Sequence, residues 1–348
     1  MAPEVILLVI LWLALTLYVL LGGADFGAGI WEVNLAFQAR EKERLLLRRA
    51  IGPVWEANHV WLIFVLVLLF NAFPPAFAAL SRALWLPLLL ALAGIVFRGA
   101  AFAFRSYAVG AVRQQAGWGV AFALASTAAP FFLGAAFGAV ASGNLAVTPR
   151  GGFTGNYVTD WLTPLALFNG FFTVGMCAYL AAVYLVREAS QEGDAELAEL
   201  WRQRALATGV WMGALALAGL AFLATEAPRL WRGFQQRAWP LVVATLMTGF
   251  FSLGALWWRR YTAAVAGVAA TVATVLAACG VAQYPALVLP AITIEGAKAP
   301  KAVLWTMVGS IALGALVLLP SMGWLFVIFK GAAGLRGMEH DRLQRGNA

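Results

Sequence analysis

The sequence predicts an all-α polytopic membrane protein, and three observations lead there. Of its 348 residues, 62% are hydrophobic and only 11% are charged, and the mean hydropathy is +0.82. The apolar residues fall in runs of roughly 20 rather than in amphipathic stripes, which is the length needed to cross a hydrocarbon core of about 30 Å. The Lys and Arg residues that give the net charge of +8 stand mostly in short loops beside those runs. There they meet a membrane surface and set topology, so the basic balance is not read as a nucleic-acid footprint.

The first run, 5–30, follows Met1, Ala2, Pro3 and Glu4 without the basic stretch and cleavage site of a signal peptide. The first helix is therefore expected to stay in the mature protein. Runs at 52–72, 83–104 and 117–140 complete a first group of four helices within 5–140. The segment 141–162, rich in Gly, Asn and Thr, predicts irregular structure. Runs at 163–186, 205–224, 239–258 and 261–282 form a second group of four within 163–282, and a ninth helix is expected near 303–329. The residues 330–348 then form a tail, and the whole of 1–348 is one membrane domain of about nine spanning helices. Arg40, Lys42, Arg44, Arg48, Arg49, Arg105, Arg113, Arg187, Arg202, Arg204, Arg259, Arg260 and the tail share one side, and the opposite side has fewer basic residues. That bias predicts an N-terminus outside and a C-terminus in the cytoplasm. The acidic stretch from Glu188 to Glu199 falls on the same inner side and reads as a solvated helix end.

Four ionisable residues lie inside the apolar runs: Asp25 late in the first, Glu56 and His59 early in the second, and Arg98 late in the third. A charge in a spanning helix costs about 2.5–3.5 kcal/mol on insertion scales, so each should face protein or water and have a partner. All four fall towards the predicted cytoplasmic side and are expected to form one cluster. Glu56 and His59, three residues apart, share a helix face, which permits proton transfer directly or through one water. Two readings follow: a proton-conducting inlet from the cytoplasm, or a buried ion pair that holds the first three helices together. A haem-ligand role for His59 would need Met176 or Met247, because the other histidine, His340, lies in the tail. Cys177 and Cys279 lie inside apolar runs and read as small packing residues. The glycine run from Gly22 to Gly29 follows a spanning helix and no strand, which argues against a nucleotide loop. Its small residues four apart, Gly23 with Gly27 and Ala24 with Ala28, instead let another helix approach closely. The tryptophans, among them Trp12, Trp31, Trp61, Trp85, Trp161, Trp231 and Trp239, fall mostly near helix ends, as in an aromatic belt.

Several segments resemble one family. GGADFGAGI at 22–30 and IGPVWEANHVWLI at 51–63 are similar to signature segments of subunit II of cytochrome bd-type quinol oxidases. VFRGAAFAFRS at 96–106, GNYVTDWLTPLALFNGFFTVGMCAYLAAVYL at 155–185 and QYPALVLPAITIEGAKAP at 283–300 resemble later segments of the same family. The most specific is the second, where Pro53, Trp55, Glu56, Asn58 and Trp61 occur together.

The resemblance implies a haem-free subunit of two four-helix bundles plus one helix, in the bacterial plasma (inner) membrane. It would be paired about a pseudo-twofold axis with a haem-bearing subunit I. That partner would bind the b-type and d-type haems, oxidise quinol near the outer face and reduce oxygen to water. Subunit II would supply cytoplasmic protons. On this resemblance Glu56 matches the family's acidic relay position, Arg98 its intramembrane arginine and Asp25 its first-helix acid, with Trp55 and Asn58 in support. The chain departs from many members by Glu rather than Asp at Glu56, by Ala57 for Gly, by His59 for Glu or Gln, and by Gly22 for an additional acid. No cofactor is then expected on this chain itself, and the quinol site belongs to the partner. The apolar grooves leave room for a structural quinone or lipid, and a small single-helix subunit is a further partner that the resemblance allows. From another class, a secondary transporter or ion channel would also need buried carboxylates and an arginine, although its charges are expected nearer the midplane of repeated, broken helices. An assembly scaffold whose charges only lock helices is the third reading.

Overall fold

A computed structural model of the chain describes residues 2–36, 41–51, 55–107, 112–318, 320, 321 and 324, without the side chains of 34–36, 41, 48–51, 55–57, 106–107 and 112–116. The expected end of the ninth helix and the tail 330–348 lie outside the described residues. Helix α1 (Pro3–Ala36) has 34 residues, about 51 Å at 1.5 Å per residue. That is longer than a bilayer core of about 30 Å requires. The amphipathic helix α2 (Glu41–Ile51) follows, where the sequence suggested only a basic loop. Its Leu46 and Leu47 are buried, Lys42 is exposed, and the helix packs on α1 and α7.

Helix α3 (Trp55–Ala72) ends at Phe73, and Pro74 and Pro75 open the short α4 (Pro74–Ala83). Proline suits a first helical turn, where its missing N–H has no intrahelical partner anyway. Helix α5 (Trp85–Tyr107) is the third long apolar helix, and α6 (Val112–Ser142) carries Pro130 inside it. After an irregular segment with one bridge, Val147 to Phe153, α7 (Pro164–Gln191) begins at Thr163, whose hydroxyl accepts the Ala166 N–H at 3.2 Å. Helix α8 (Ala195–Glu226) starts earlier than its apolar run because Asp194 caps it and Glu199 and Arg202 pair along its first turns. Helix α9 (Pro228–Gly233), a π-helical turn (Phe234–Ala238), α10 (Trp239–Trp257) and α11 (Tyr261–Gln283) follow. The hairpin β1 (Ala286–Val288) with β2 (Ile292–Thr293), the short α12 (Ile294–Ala297) and α13 (Lys301–Leu318) complete the described chain.

Eight of these helices are long and apolar enough to cross a membrane, and the expected span 52–72 is met by a shorter apolar segment, Asn58–Ala72. Helix α1 sits centrally, against α3, α6 and α7; α5 packs on α6, α7 on α6 and α8, and α10 on α11. Large apolar side chains such as Val60, Ile63, Phe70, Phe97, Val210, Met247 and Phe250 point away from the protein. That pattern suits lipid or a partner and not water. Inside, three adjoining apolar cavities of about 200, 140 and 130 Å³ share Phe172 and Val275 among their walls.

Candidate functional site

Arg98 on α5 and Asp25 on α1 meet fork to fork. Arg98 Nη1 donates to Asp25 Oδ2 at 2.8 Å, and Nη2 donates to Oδ1 at 2.6 Å and to the Asp25 carbonyl at 3.3 Å. Its Nε donates to Ser126 Oγ on α6 at 3.0 Å. Both side chains are buried, at 1% and 6% exposure. The guanidinium also lies 5.2 Å from the Phe26 ring centroid and 4.9 Å from that of Phe122. A planar, bidentate pair with every guanidinium nitrogen engaged is the arrangement that makes a buried charge tolerable.

The glycines of α1 allow this approach. A Cβ on Gly27 would overlap the Cys177 carbonyl of α7, and one on Gly29 would overlap the Ser126 hydroxyl that Arg98 uses. The expected close approach at Gly23 and Gly27 is therefore made by α7, and Gly29 adds α6. Small residues on one helix bring two neighbours against the Asp25 turn.

His59 on α3 shares the Phe26 ring as a neighbour with the Arg98 guanidinium. Its ring packs against Tyr18, at 6.2 Å between centroids, and Phe26, at 5.8 Å. Neither ring nitrogen, nor the Tyr18 hydroxyl, has a hydrogen-bond partner among the described residues. Tyr18, Gly23, Phe26 and Cys177 also line the 200 Å³ cavity. Asn58 is buried, and its amide donates to the Leu21 carbonyl at 3.4 Å, tying the start of α3 to α1. The side chains of Trp55 and Glu56 lie outside the described residues; their backbone opens α3. Among the described residues no group of three or more His, Cys, Asp or Glu side chains converges as a metal site.

Sequence reasoning missed two further buried pairs. Glu32 on α1 pairs with Arg105 on α5. Each stands seven residues beyond a member of the first pair, so the heptad offset shared by Asp25 to Glu32 and Arg98 to Arg105 was the available signal. Arg204 on α8 donates to Glu43 of α2 at 2.7 Å, and it lies 4.6 Å from the Trp201 ring and 5.6 Å from the Trp31 ring. Trp31 donates to the Ala178 carbonyl at 2.9 Å and meets Trp201 edge to face. Arg105 and Arg204 were read only as topology signals, because a sequence does not show which loop-side arginine turns inward.

Fold and site define a multi-pass helical membrane protein that keeps paired charges inside its apolar bundle. The sequence model of the family "Cytochrome bd terminal oxidase subunit II" matches residues 3–329, and the chain belongs to that family. It is therefore a multi-pass protein of the bacterial inner membrane. It is 32% identical over 166 residues to the cytochrome bd-I ubiquinol oxidase subunit 2 of Escherichia coli K12, covering 47% of this chain. It is 27% identical over 255 residues to the cytochrome bd ubiquinol oxidase subunit 2 of Bacillus subtilis, covering 72% of this chain. In these comparisons the chain spans 43% and 72% of the relatives' lengths, respectively. It shares its fold with a chain in the structure of bd oxidase from Geobacillus thermodenitrificans, at a TM-score of 0.74 and 22% identity, over 94% of this chain and 99% of that one.

Proposed function

We propose that this chain is the haem-free subunit II of a bd-type terminal oxidase. It supports a haem-bearing subunit I and carries protons from the cytoplasm towards it. In this reading the chain is arranged as two four-helix groups, 5–140 and 163–282, plus a ninth helix, with the N-terminus outside and the Arg-rich side in the cytoplasm. The haems b and d of the partner supply the electron transfer from quinol and the reduction of oxygen to water. This chain's own residues supply the charge balance. Electrons that collect in a low-dielectric interior require protons beside them, and a buried polar track is the means of delivery.

The observation that carries the reading is the Asp25–Arg98 pair, buried between α1 and α5 and braced by Ser126. It stands within two of the segments that bear the family resemblance. His59 enters the same track from α3, Glu56 is the relay group proposed on that helix with Trp55 in support, and Asn58 ties the helix to α1. His59 and Tyr18, whose polar atoms lack partners among the described residues, offer places for ordered water between α3 and α1. If uptake is from the inside and quinol releases its protons outside, turnover moves charge across the membrane without pumping. Each charge moved against 100 mV costs about 2.3 kcal/mol. The adjoining cavities around Phe172 give a structural quinone or lipid tail a place to lie.

The test is Glu56→Gln in the assembled oxidase. Turnover is expected to fall by about tenfold or more, as for loss of a proton-transferring group, while the haem spectrum and complex yield stay unchanged. Unchanged turnover at normal yield would sink the assignment.

A further inference from the structure

We infer that Glu32 is the carboxylate through which protons first enter the chain from the Arg-rich side, and that Arg105 holds it in place; this rests on the proton-path reading of Asp25. Across α1, α5 and α6, the sequence between the Asp25–Arg98–Ser126 layer and the Arg-rich end holds one carboxylate, Glu32. A proton moving inward along these three helices meets that group before it meets Asp25.

The geometry repeats along the two helices. Glu32 and Arg105 form a second rung one heptad beyond the first, about 10.5 Å along the axis at 1.5 Å per residue. Each of the two side chains is 10% exposed. The first rung already pins α1 to α5, so a second charged rung is not required for docking alone. Phe122, 2% exposed, lies between the two: its ring centroid is 4.9 Å from the Arg98 guanidinium and 6.0 Å from that of Arg105. The two arginines of the rungs are thus neighbours on one buried ring. Two turns are too far for a direct hop, so water must pass the Phe122 edge for each transfer.

The step is a proton exchange without redox change. Hydronium on the Arg-rich side gives its proton to the Glu32 carboxylate and leaves water. Protonated Glu32 then passes the proton through water to the Asp25 carboxylate and returns to its ionised, Arg105-paired form. Arg105 stays charged throughout and acts as a positioning residue, restoring the carboxylate form after each transfer.

The experiment compares Glu32→Gln, Glu32→Asp, Asp25→Asn and the double variant Glu32→Gln with Arg105→Gln in the two-subunit oxidase, with haem content as the assembly control. Quinol-driven oxygen uptake and the solvent deuterium isotope effect are the readouts. Glu32→Gln is expected to slow turnover at least about tenfold and to raise the isotope effect, with Glu32→Asp recovering most of the rate. The double variant removes both charges and leaves no unpaired ion; a docking role predicts that it restores turnover, whereas a proton-carrying role predicts that it stays slow. It also decides the case if Glu32→Gln does not assemble. Turnover restored in the double variant, or turnover within about twofold of the parent in Glu32→Gln, overturns the inference. If Asp25→Asn is slow while the Glu32 variants are fast, only Glu32 is misassigned; if all are fast, the path through Asp25 falls as well.

Discussion

Arg98 is the side chain on which the site's stability turns, because its hydrogen bonds tie α5 to α1 through Asp25 and to α6 through Ser126. Removing one partner of such a pair leaves an uncompensated buried charge, at a cost of about 3–5 kcal/mol. Arg98→Ala is therefore expected to reduce the yield of assembled complex, read as haem-bearing protein per membrane. Arg98→Lys keeps the charge but loses the fork, and should assemble better while losing part of the contact to Ser126. Equal yields for Ala, Lys and the parent would contradict this account of the pair. That Asp25 and Arg98 each need a partner was legible at this scale, since ionisable residues in apolar runs stand out, and the two meet each other. What the sequence could not show is that His59 would lie against the Tyr18 and Phe26 rings, because ring packing depends on the angle at which α3 meets α1.

Among the elements, the junction of α2 with α8 carries its own electrostatics outside the spanning runs. Asp194 caps α8, accepting the Leu197 N–H at 3.0 Å, and meets Lys42 of α2 at 3.3 Å. The Leu197 hydrogen bond first, and Lys42 after it, hold the Asp194 carboxyl below the usual carboxylate range. A folded-state value below the unfolded one stabilises the fold above about pH 4, and that contribution disappears as pH falls through the folded-state value. Asp194→Ala should lower the thermal midpoint in detergent at neutral pH and make it less sensitive to acid. A parallel loss of midpoint in parent and variant on acidification would argue against the cap. The amphipathic helix α2 was hidden in the sequence by its charge: Lys42, Arg44, Arg48 and Arg49 read as a loop, and only its place beneath α7 explains the buried Leu46 and Leu47. The close approach at Gly23 and Gly27 was readable from residue size, whereas the identity of the approaching helix, α7, was not.

Over the whole molecule, run length and loop charge marked out the apolar helices, because a bilayer imposes one length and one polarity on every span. The structure adds what those constraints leave free. The bend at Phe73 and Pro74 separates α4 from α3, and the π-helical turn links α9 to α10. The hairpin of β1 and β2 folds back so that the Ala299 N–H reaches the Ala72 carbonyl at 2.9 Å. Helix α13 shows most of its surface, with Leu313, Leu316 and Val317 all exposed, as expected of a helix that meets lipid more than protein. The pairs Asp25–Arg98, Glu32–Arg105 and Glu43–Arg204 lie towards the end of the bundle that bears α2, and Lys298 pairs with Glu4 and Glu295 at the opposite end.

The most direct test of the central claim is a dithionite-reduced minus oxidised optical spectrum of this chain purified from its native membrane in mild detergent, with each co-purifying band identified. The account predicts b- and d-type haem bands that follow a second large subunit and leave this chain colourless once the two are separated. A colourless preparation containing this chain alone would contradict it.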